Sequence, residues 1–149
     1  QVLPSWLEDW AGFAARRPDG VVMAEPTAWR RDYGRNPYAG YDSTYVPFLY
    51  RGEGPPHGIA PLARVVRVGD RAWPLQRLRA AGALEEAGVR LVWTGGQASA
   101  LDSPVIAEGR DVGTVRVFDA ATGAPAVAEV VFAFAFHAFE PEGTWMLGP

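Results

Sequence analysis

The residues with the richest chemistry lie in one stretch, residues 29–45, where tyrosine, arginine and aspartate alternate with glycine and proline. Arginine guanidinium groups bind carboxylate or phosphate through two parallel hydrogen bonds, and tyrosine rings offer a stacking face with a polar end. This composition predicts a contact surface for a small anionic or aromatic ligand or for another protein. Its candidate residues are Arg30, Arg31, Tyr33, Arg35, Tyr38 and Tyr41.

The same stretch also fits a structural role or a metal site. No hydrophobic period runs through it, so it is a long loop, and a long loop in a compact domain needs Arg–Asp pairs and buried tyrosines that fix it to the body. Asp32, Asn36 and Asp42 also carry oxygens that suit Ca²⁺, although their spacing matches no EF-hand loop. The sequence leaves ligand recognition and structural anchoring open.

A second set of charged side chains follows further along the chain and consists of Asp102, Glu108, Arg110 and Asp111. If Asp102, Glu108 and Asp111 converge, they are suited to acid–base chemistry. In a redox or metal-assisted enzyme, Asp102, Arg110 and Asp111 would instead line a cleft with Arg35 and Tyr38 of the loop. Turn and cap formation accounts for the same residues more simply, because Asp side chains bind free backbone amides at turns. Both interpretations stay open.

The composition excludes several kinds of chemistry. The chain has 149 residues, no cysteine, and only arginine among its 14 basic residues, so thiolate catalysis, zinc–cysteine sites and lysine Schiff bases are excluded. The motifs H-E-x-x-H, G-x-G-x-x-G and G-x-S-x-G do not occur, and His57 and His137 are too far apart in sequence to form a local ligand pair. We therefore expect no catalytic residues, no metal and no cofactor in this chain.

Charge and hydropathy narrow the choice of partners. A formal net charge of −3 provides no basic field for nucleic acid. No stretch approaches the about 18 consecutive apolar residues of a membrane span, and the first residues lack the charged and apolar regions of a signal peptide. We expect no nucleic-acid partner, no insertion of this chain into a membrane and no signal peptide in this sequence.

The two ends of the chain carry similar patterns. Ser5 and Glu8 form a capping-box pair, so we predict that a helix begins at Ser5, ends at Pro-Asp-Gly (18–20) and is followed by a strand at 21–23. The pattern recurs 123 positions later, where Pro-Glu-Gly at 141–143 follows a run rich in phenylalanine. The phenylalanines alternate as in a strand, but the repeat favours a helix.

The middle of the chain has hairpin and strand patterns. Gly69-Asp70 joins two apolar runs as a hairpin turn, Pro74 opens a short helix, and strands are predicted at 89–94 and 114–118. A chain of this length is expected to form one domain, residues 1–149. We predict an α+β fold, with a mainly antiparallel sheet, open or closed into a barrel, and short flanking helices at both chain ends.

Several of these segments together resemble a bacterial and archaeal family catalogued as domain of unknown function 3179. The most specific part is 31–41, Arg-Asp-Tyr-Gly-Arg-Asn-Pro-Tyr-Ala-Gly-Tyr, and the segments 3–20, 68–75, 98–102 and 109–113 add weaker similarity. The resemblance extends from Leu3 to about Pro141. Members are often longer, exported proteins with two related halves, and this chain is similar to the second half, with a shortened stretch before its closing helix.

The resemblance implies a location but no activity. Exported relatives imply a periplasmic or extracellular protein. The first half of such proteins commonly carries a Cys-Pro-Leu-Cys motif, and the matching stretch here, residues 91–96, has no thiol. Chemistry that depends on those cysteines therefore does not carry over to this chain.

These observations lead to a functional hypothesis with two alternatives. The chain has an aromatic, arginine-rich loop and carries none of the catalytic motifs named above. This combination predicts a non-catalytic, exported binding or assembly module that uses loop 29–45. The first alternative is part of a redox or metal-assisted enzyme whose Cys-bearing half is absent from this chain. The second is a subunit of a larger envelope complex. Burial and internal pairing of the loop tyrosines and arginines would speak against the binding module.

Overall fold

The computed structural model describes residues 3–29, 32 and 35–148. Within these residues it contains three α-helices and seven strands in two mostly antiparallel sheets, which confirms the predicted α+β fold. The two sheets of the described chain do not close into a barrel, so of the two predicted forms the open one is correct. In chain order the elements are α1 (Trp10–Arg16), β1 (Arg64–Val68), β2 (Arg71–Pro74), α2 (Leu75–Ala81), β3 (Ala83–Glu86), β4 (Val89–Thr94), β5 (Thr114–Asp119), β6 (Glu129–Phe132), α3 (Ala133–Phe139) and β7 (Thr144–Trp145), with single 3-10 turns at Tyr41–Ser43 and Ile106–Glu108.

The larger sheet is built on the predicted hairpin. Strands β1 and β2 pair antiparallel across Gly69-Asp70, and Gly69 takes the positive φ of 59° that the hairpin turn requires. Strand β6 adds antiparallel to β1, and β7 adds parallel to β2, which gives the order β6-β1-β2-β7. The hairpin is therefore the centre of this sheet, and each of its strands has a neighbour on both sides.

The smaller sheet, with the order β3-β4-β5, is entirely antiparallel. Its Leu91 and Val117 pack with Val66 and Trp73 from the larger sheet and with Leu78 of α2. All five side chains are almost fully buried. Each such large apolar side chain stabilises the fold by about 1.5–3 kcal/mol relative to its exposed state. The main core thus lies between the two sheets and beneath α2.

A second, smaller core lies on the other face of the hairpin. Val65 and Ala72 pack there against Ala133 and Phe136 of α3. The predicted helix in the phenylalanine-rich run is correct from Ala133 onward, whereas Phe132 still belongs to β6. No helix in the described part of the chain is long and apolar enough to cross a membrane.

The first helix begins later than the capping-box pattern predicted. Asp9, rather than Ser5, caps α1: its Oδ1 accepts a hydrogen bond from the backbone N–H of Gly12 at 2.7 Å. Glu8 is not available to a capping box, because its carboxylate pairs with Arg116 of β5 (2.6 Å) and with Arg16 of α1. A contact with a residue far along the chain has overridden the local signal.

The predicted strand at 21–23 is wrong for this chain. These residues follow the turn after α1, but they pair with no described strand and lie in solvent, with Val21 89% and Met23 97% exposed. A short apolar segment becomes a strand only when another strand supplies its hydrogen bonds.

Candidate functional site

Asp42 fixes the tyrosine-rich loop to the body of the protein. Its side chain is 0% exposed, and its Oδ2 accepts hydrogen bonds from Ser99 Oγ and from Arg64 Nη1, both at 2.7 Å. Arg110 Nη2 lies 3.2 Å from the same oxygen and donates to the backbone carbonyl of Asp42 at 3.0 Å. One carboxylate thus ties the loop to β1 and to the segment that precedes β5.

These contacts decide the charge state of Asp42. Burial alone would raise the pKa of this carboxyl, but the hydrogen bonds from Ser99 and Arg64 and the positive charges of Arg64 and Arg110 hold its pKa below the ordinary value of 3.8. The second oxygen, Oδ1, is buried and has no hydrogen-bond partner in the described part of the protein. Two arginines thus compensate the buried charge of this carboxylate.

Backbone hydrogen bonds extend this attachment along the loop. The N–H groups of Asn36 and Gly40 donate to the carbonyls of Pro104 (2.9 Å) and Asp102 (2.7 Å). The side chain of Asn36 is buried, and its Oδ1 accepts from the N–H of Tyr38 at 2.8 Å. The loop between residues 35 and 42 therefore follows the segment 101–105 closely and has a defined conformation.

Beyond this attachment the loop carries apolar side chains in solvent. Tyr45 (73% exposed), Val46, Phe48 (71% exposed) and Leu49 occur within five residues, and we name these four residues the apolar loop face. The intervening Pro47 is buried. Leu49 has a φ of 62°, a left-handed conformation that costs a non-glycine residue about 1–2 kcal/mol. One backbone hydrogen bond, from the N–H of Phe48 to the hydroxyl of Tyr41, joins the face to the preceding turn, while its side chains are exposed.

The six predicted contact residues fall into three groups. Arg30, Arg31 and Tyr33 lie outside the described residues. Arg35 and Tyr38 are exposed, and the Nε of Arg35 lies 3.0 Å from the equally exposed Oδ2 of Asp32, a weak surface pair. Tyr41 is half-buried: its ring meets Phe132 edge-on, and its hydroxyl oxygen accepts a hydrogen bond from the N–H of Phe48 at 3.1 Å.

The alternative residues are only partly brought together. Arg110 and Asp111 line a cleft of about 1030 Å³, whereas Asp102, Arg35 and Tyr38 lie outside its lining. Asp102 instead accepts the backbone N–H of Arg110 at 2.7 Å. The Oδ1 of Asp111 accepts the N–H groups of Gly96 and Gly113, and these hydrogen bonds hold the pKa of Asp111 below its ordinary value. Both aspartates therefore act as turn caps.

Arginines dominate the polar lining of this cleft. It lies between the 3-10 turn of Asp42, strand β1, helix α2 and the segment that precedes β5. Arg64 of β1, Arg79 of α2 and Arg110 of that segment line it together with Asp42 and Asp111. The guanidinium carbon of Arg79 lies 5.6 Å from the centre of the Trp93 ring. The cleft has the charge and size to take a small anion.

Sequence reasoning missed the two residues that organise the site. Arg64 is the first of two arginines in the strand β1, and Ser99 is a small polar residue that is fully buried. Arg64 is visible in the sequence as a break in the apolar pattern, whereas Ser99 gives no local signal. Among the residues that the structure describes, no three His, Asp or Glu side chains converge as metal ligands would.

Searches of curated proteins and of solved structures gave no significant match. A family model described as "Protein of unknown function (DUF3179)" matches residues 1–143, which is nearly the whole chain and includes the tyrosine-rich loop, the hairpin and the closing helix. The chain therefore belongs to the DUF3179 family of proteins of unknown function.

Proposed function

We propose that this chain is a non-catalytic binding or assembly module that contacts another protein through the apolar loop face. The observation that carries the proposal is the combination of four exposed apolar side chains with a loop that the buried carboxylate of Asp42 anchors just before them. Assembly into a larger envelope complex is one form of this function.

The energetics favour a contact surface at this position. Single exposed apolar residues are common, but aromatic and aliphatic side chains that are grouped on one loop are typical of interface hot spots. A loop that is already ordered loses little conformational entropy when a partner binds. Leu49, held in a strained conformation while it is exposed, fits a residue that is kept for contact and not for packing.

Site-specific photo-crosslinking in the source cells tests the proposal. A photoreactive amino acid at Tyr45 is expected to capture a distinct partner protein, whereas the same group at Ala121, an exposed residue in the turn after β5, is expected to capture none. Cell fractionation is the companion measurement, because the proposal includes the periplasmic or extracellular location that the family resemblance implies.

Substitution then separates contact from folding. For this test the photoreactive group is placed at Leu49, because Tyr45 is itself replaced. Replacement of Tyr45 and Phe48 by serine should abolish the crosslinked product. It should leave the free energy of unfolding nearly unchanged, since both side chains are exposed. The purified partner should then bind the unmodified chain in a saturable manner and should not bind the variant with both serines. Equal crosslinking from Tyr45 and Ala121, or no crosslinking from either, contradicts the proposal.

The arginine-lined cleft supports a second candidate function, the binding of a small anion such as a carboxylate or phosphate. Arg79 is exposed and forms no ion pair with a described residue, whereas Arg64 and Arg110 already bind Asp42. Inorganic phosphate should shift the resonances of the cleft-lining residues, and Arg79→Gln should weaken this binding about tenfold or more. The matched control is Arg90→Gln, an exposed arginine on β4. Equal affinity in both variants excludes the cleft as the anion site.

A further inference from the structure

The structure contains the same helix-and-turn unit twice. Helices α1 and α3 are both seven residues long, and each residue of α3 lies 123 positions after its counterpart in α1. The residues that follow the helices, Arg17 and Glu140, have nearly the same backbone angles, with φ of −134° and −129° and ψ of 72° and 70°. We name residues 10–23 the first closing unit and residues 133–146 the second closing unit.

The turns of the two units also match in detail. A Cβ placed on Gly20 would lie 2.6 Å from Cζ of Phe13, and one placed on Gly143 would lie 2.6 Å from Cζ of Phe136. In both units, therefore, the phenylalanine ring of the helix covers the glycine seven residues later. The sequence repeat is thus a structural repeat.

The second closing unit is docked on the β1–β2 hairpin. Its strand β7 lies parallel to β2, and the N–H groups of Thr144 and Met146 donate to the carbonyls of Asp70 and Ala72, both at 2.8 Å. Ala133 of its helix is 0% exposed. An ion pair adds to the contact, because the guanidinium of Arg67 on β1 binds the carboxylate of Glu140.

The first closing unit has the same form, but no hairpin of the described residues pairs with it. Val21 and Met23, the counterparts of Thr144 and Met146, are exposed and pair with no described strand. Trp10, the counterpart of the buried Ala133, is 63% exposed. A contact on its other side holds the unit in place, since Glu8 joins Arg16 of α1 to Arg116 of β5. An unpaired apolar segment of this kind is a template for strand addition.

We propose that the first closing unit docks onto a second hairpin of the β1–β2 type, carried by another repeat unit, and that residues 21–23 join it as a parallel strand. The N–H groups of Val21 and Met23 then donate to that hairpin as those of Thr144 and Met146 do to β2. This interaction surface is separate from the apolar loop face and does not depend on its function.

Charge identifies the partner hairpin further. Arg17 stands where the second unit has Glu140, and it has no ion-pair partner among the described residues. The partner hairpin therefore carries an acidic residue where β1 has Arg67. A second copy of this chain does not fit, because the free edge of its β2 is already taken by β7 and its Arg67 would repel Arg17.

A tethered hairpin tests the proposal in the full chain. The probe is the segment 62–75 with Arg67→Glu, joined to the N-terminus of the complete chain through a Gly/Ser linker of about 15 residues, whose end-to-end distance is about 20 Å. Such a tether gives the hairpin an effective concentration of about 1 mM at the first closing unit. Even if the complex of hairpin and unit has a Kd of only about 0.1 mM, amide exchange in the docked strand is then slowed about tenfold. The measurement is hydrogen exchange at the amides of Val21 and Met23.

Charge reversal provides the control. The hairpin with glutamate at position 67 should protect Val21 and Met23, and the hairpin with the original arginine should protect them less. In a chain with Arg17→Glu this preference should reverse. Three results would overturn the proposal: no protection with either hairpin, equal protection with both, or protection of both amides in the chain without a tether.

Discussion

The guanidinium of Arg64 lies 2.7 Å from the carboxylate of Asp42, although 22 residues separate them in the sequence. Arg64 begins the central strand of the larger sheet, and the Asp42 side chain is 0% exposed. A central strand of the larger sheet thereby holds the tyrosine-rich loop just before the apolar loop face begins at Tyr45.

Asp42→Asn is expected to lower the free energy of unfolding by about 3 kcal/mol, because it leaves the mostly buried Arg64 without a counter-charge. The exposed pair between Asp32 and Arg35 provides the matched control, and Asp32→Asn should cost less than about 1 kcal/mol. Urea unfolding of the two variants measures the difference. Equal losses would mean that the Asp42 contacts do not hold the loop.

Acid should weaken the fold through Glu86. The hydrogen bond from Arg77, helped by one from the indole N–H of Trp73, lowers the pKa of this carboxyl from its ordinary value of 4.5. A carboxyl whose pKa is lowered on folding stabilises the protein above its unfolded pKa, and this stability is lost as the pH falls from about 4.5 through the lower folded value.

Glu86→Gln should therefore reduce stability at neutral pH and flatten its decline below pH 4.5. The control is Glu85→Gln, the adjacent exposed residue of β3, which should leave the curve unchanged. Urea unfolding at a series of pH values provides both curves. Parallel curves for Glu86→Gln and the unmodified chain would show that Glu86 does not contribute to the acid sensitivity.

Local signals predicted the middle of the fold well. Helix α2 begins after Pro74 and ends before Gly82, and strand β4 covers 89–94, as the sequence predicted. A proline at a helix start and a glycine with positive φ at its end act within one turn, so their effect does not depend on any distant residue.

The wrong predictions all involve distant partners. Glu8 pairs with Arg116, which lies 108 residues away, instead of forming the predicted capping box, and residues 21–23 have no partner strand among the described residues. The anchor of the site was missed for the same reason, since Asp42 meets Ser99 across 57 residues. Tertiary structure brings residues so far apart in the sequence together, and a local sequence pattern does not reveal such contacts.

The turn between β3 and β4 offers a stabilising substitution. Ala87 and Gly88 occupy it with φ of 51° and 79°, and a left-handed conformation strains alanine by about 1–2 kcal/mol. Ala87→Gly should therefore raise the free energy of unfolding by up to about 1 kcal/mol, after the entropic cost of glycine is subtracted. The same change at Ala80, an exposed position in helix α2, should lower it by about 0.5–1 kcal/mol. Thermal unfolding measures the sign of the change in the free energy of unfolding for each variant. A decrease in both variants would mean that Ala87 is not strained.

The two closing units should respond differently to the same substitution at equivalent glycines. In Gly143→Ala the new Cβ meets the ring of Phe136 at 2.6 Å and the carbonyl of Asp70 at 3.0 Å, and Phe136 is too buried to move aside, so we expect a loss of about 1–3 kcal/mol. In Gly20→Ala the new Cβ also meets a backbone carbonyl, that of Arg17 at 2.9 Å, but the ring of Phe13 is only half-buried and can rotate away, so the loss should be smaller than in Gly143→Ala. Urea unfolding compares the two variants in the untethered chain. Equal losses would show that the first closing unit is as tightly packed as the second, and would contradict the proposal that it docks onto a partner hairpin.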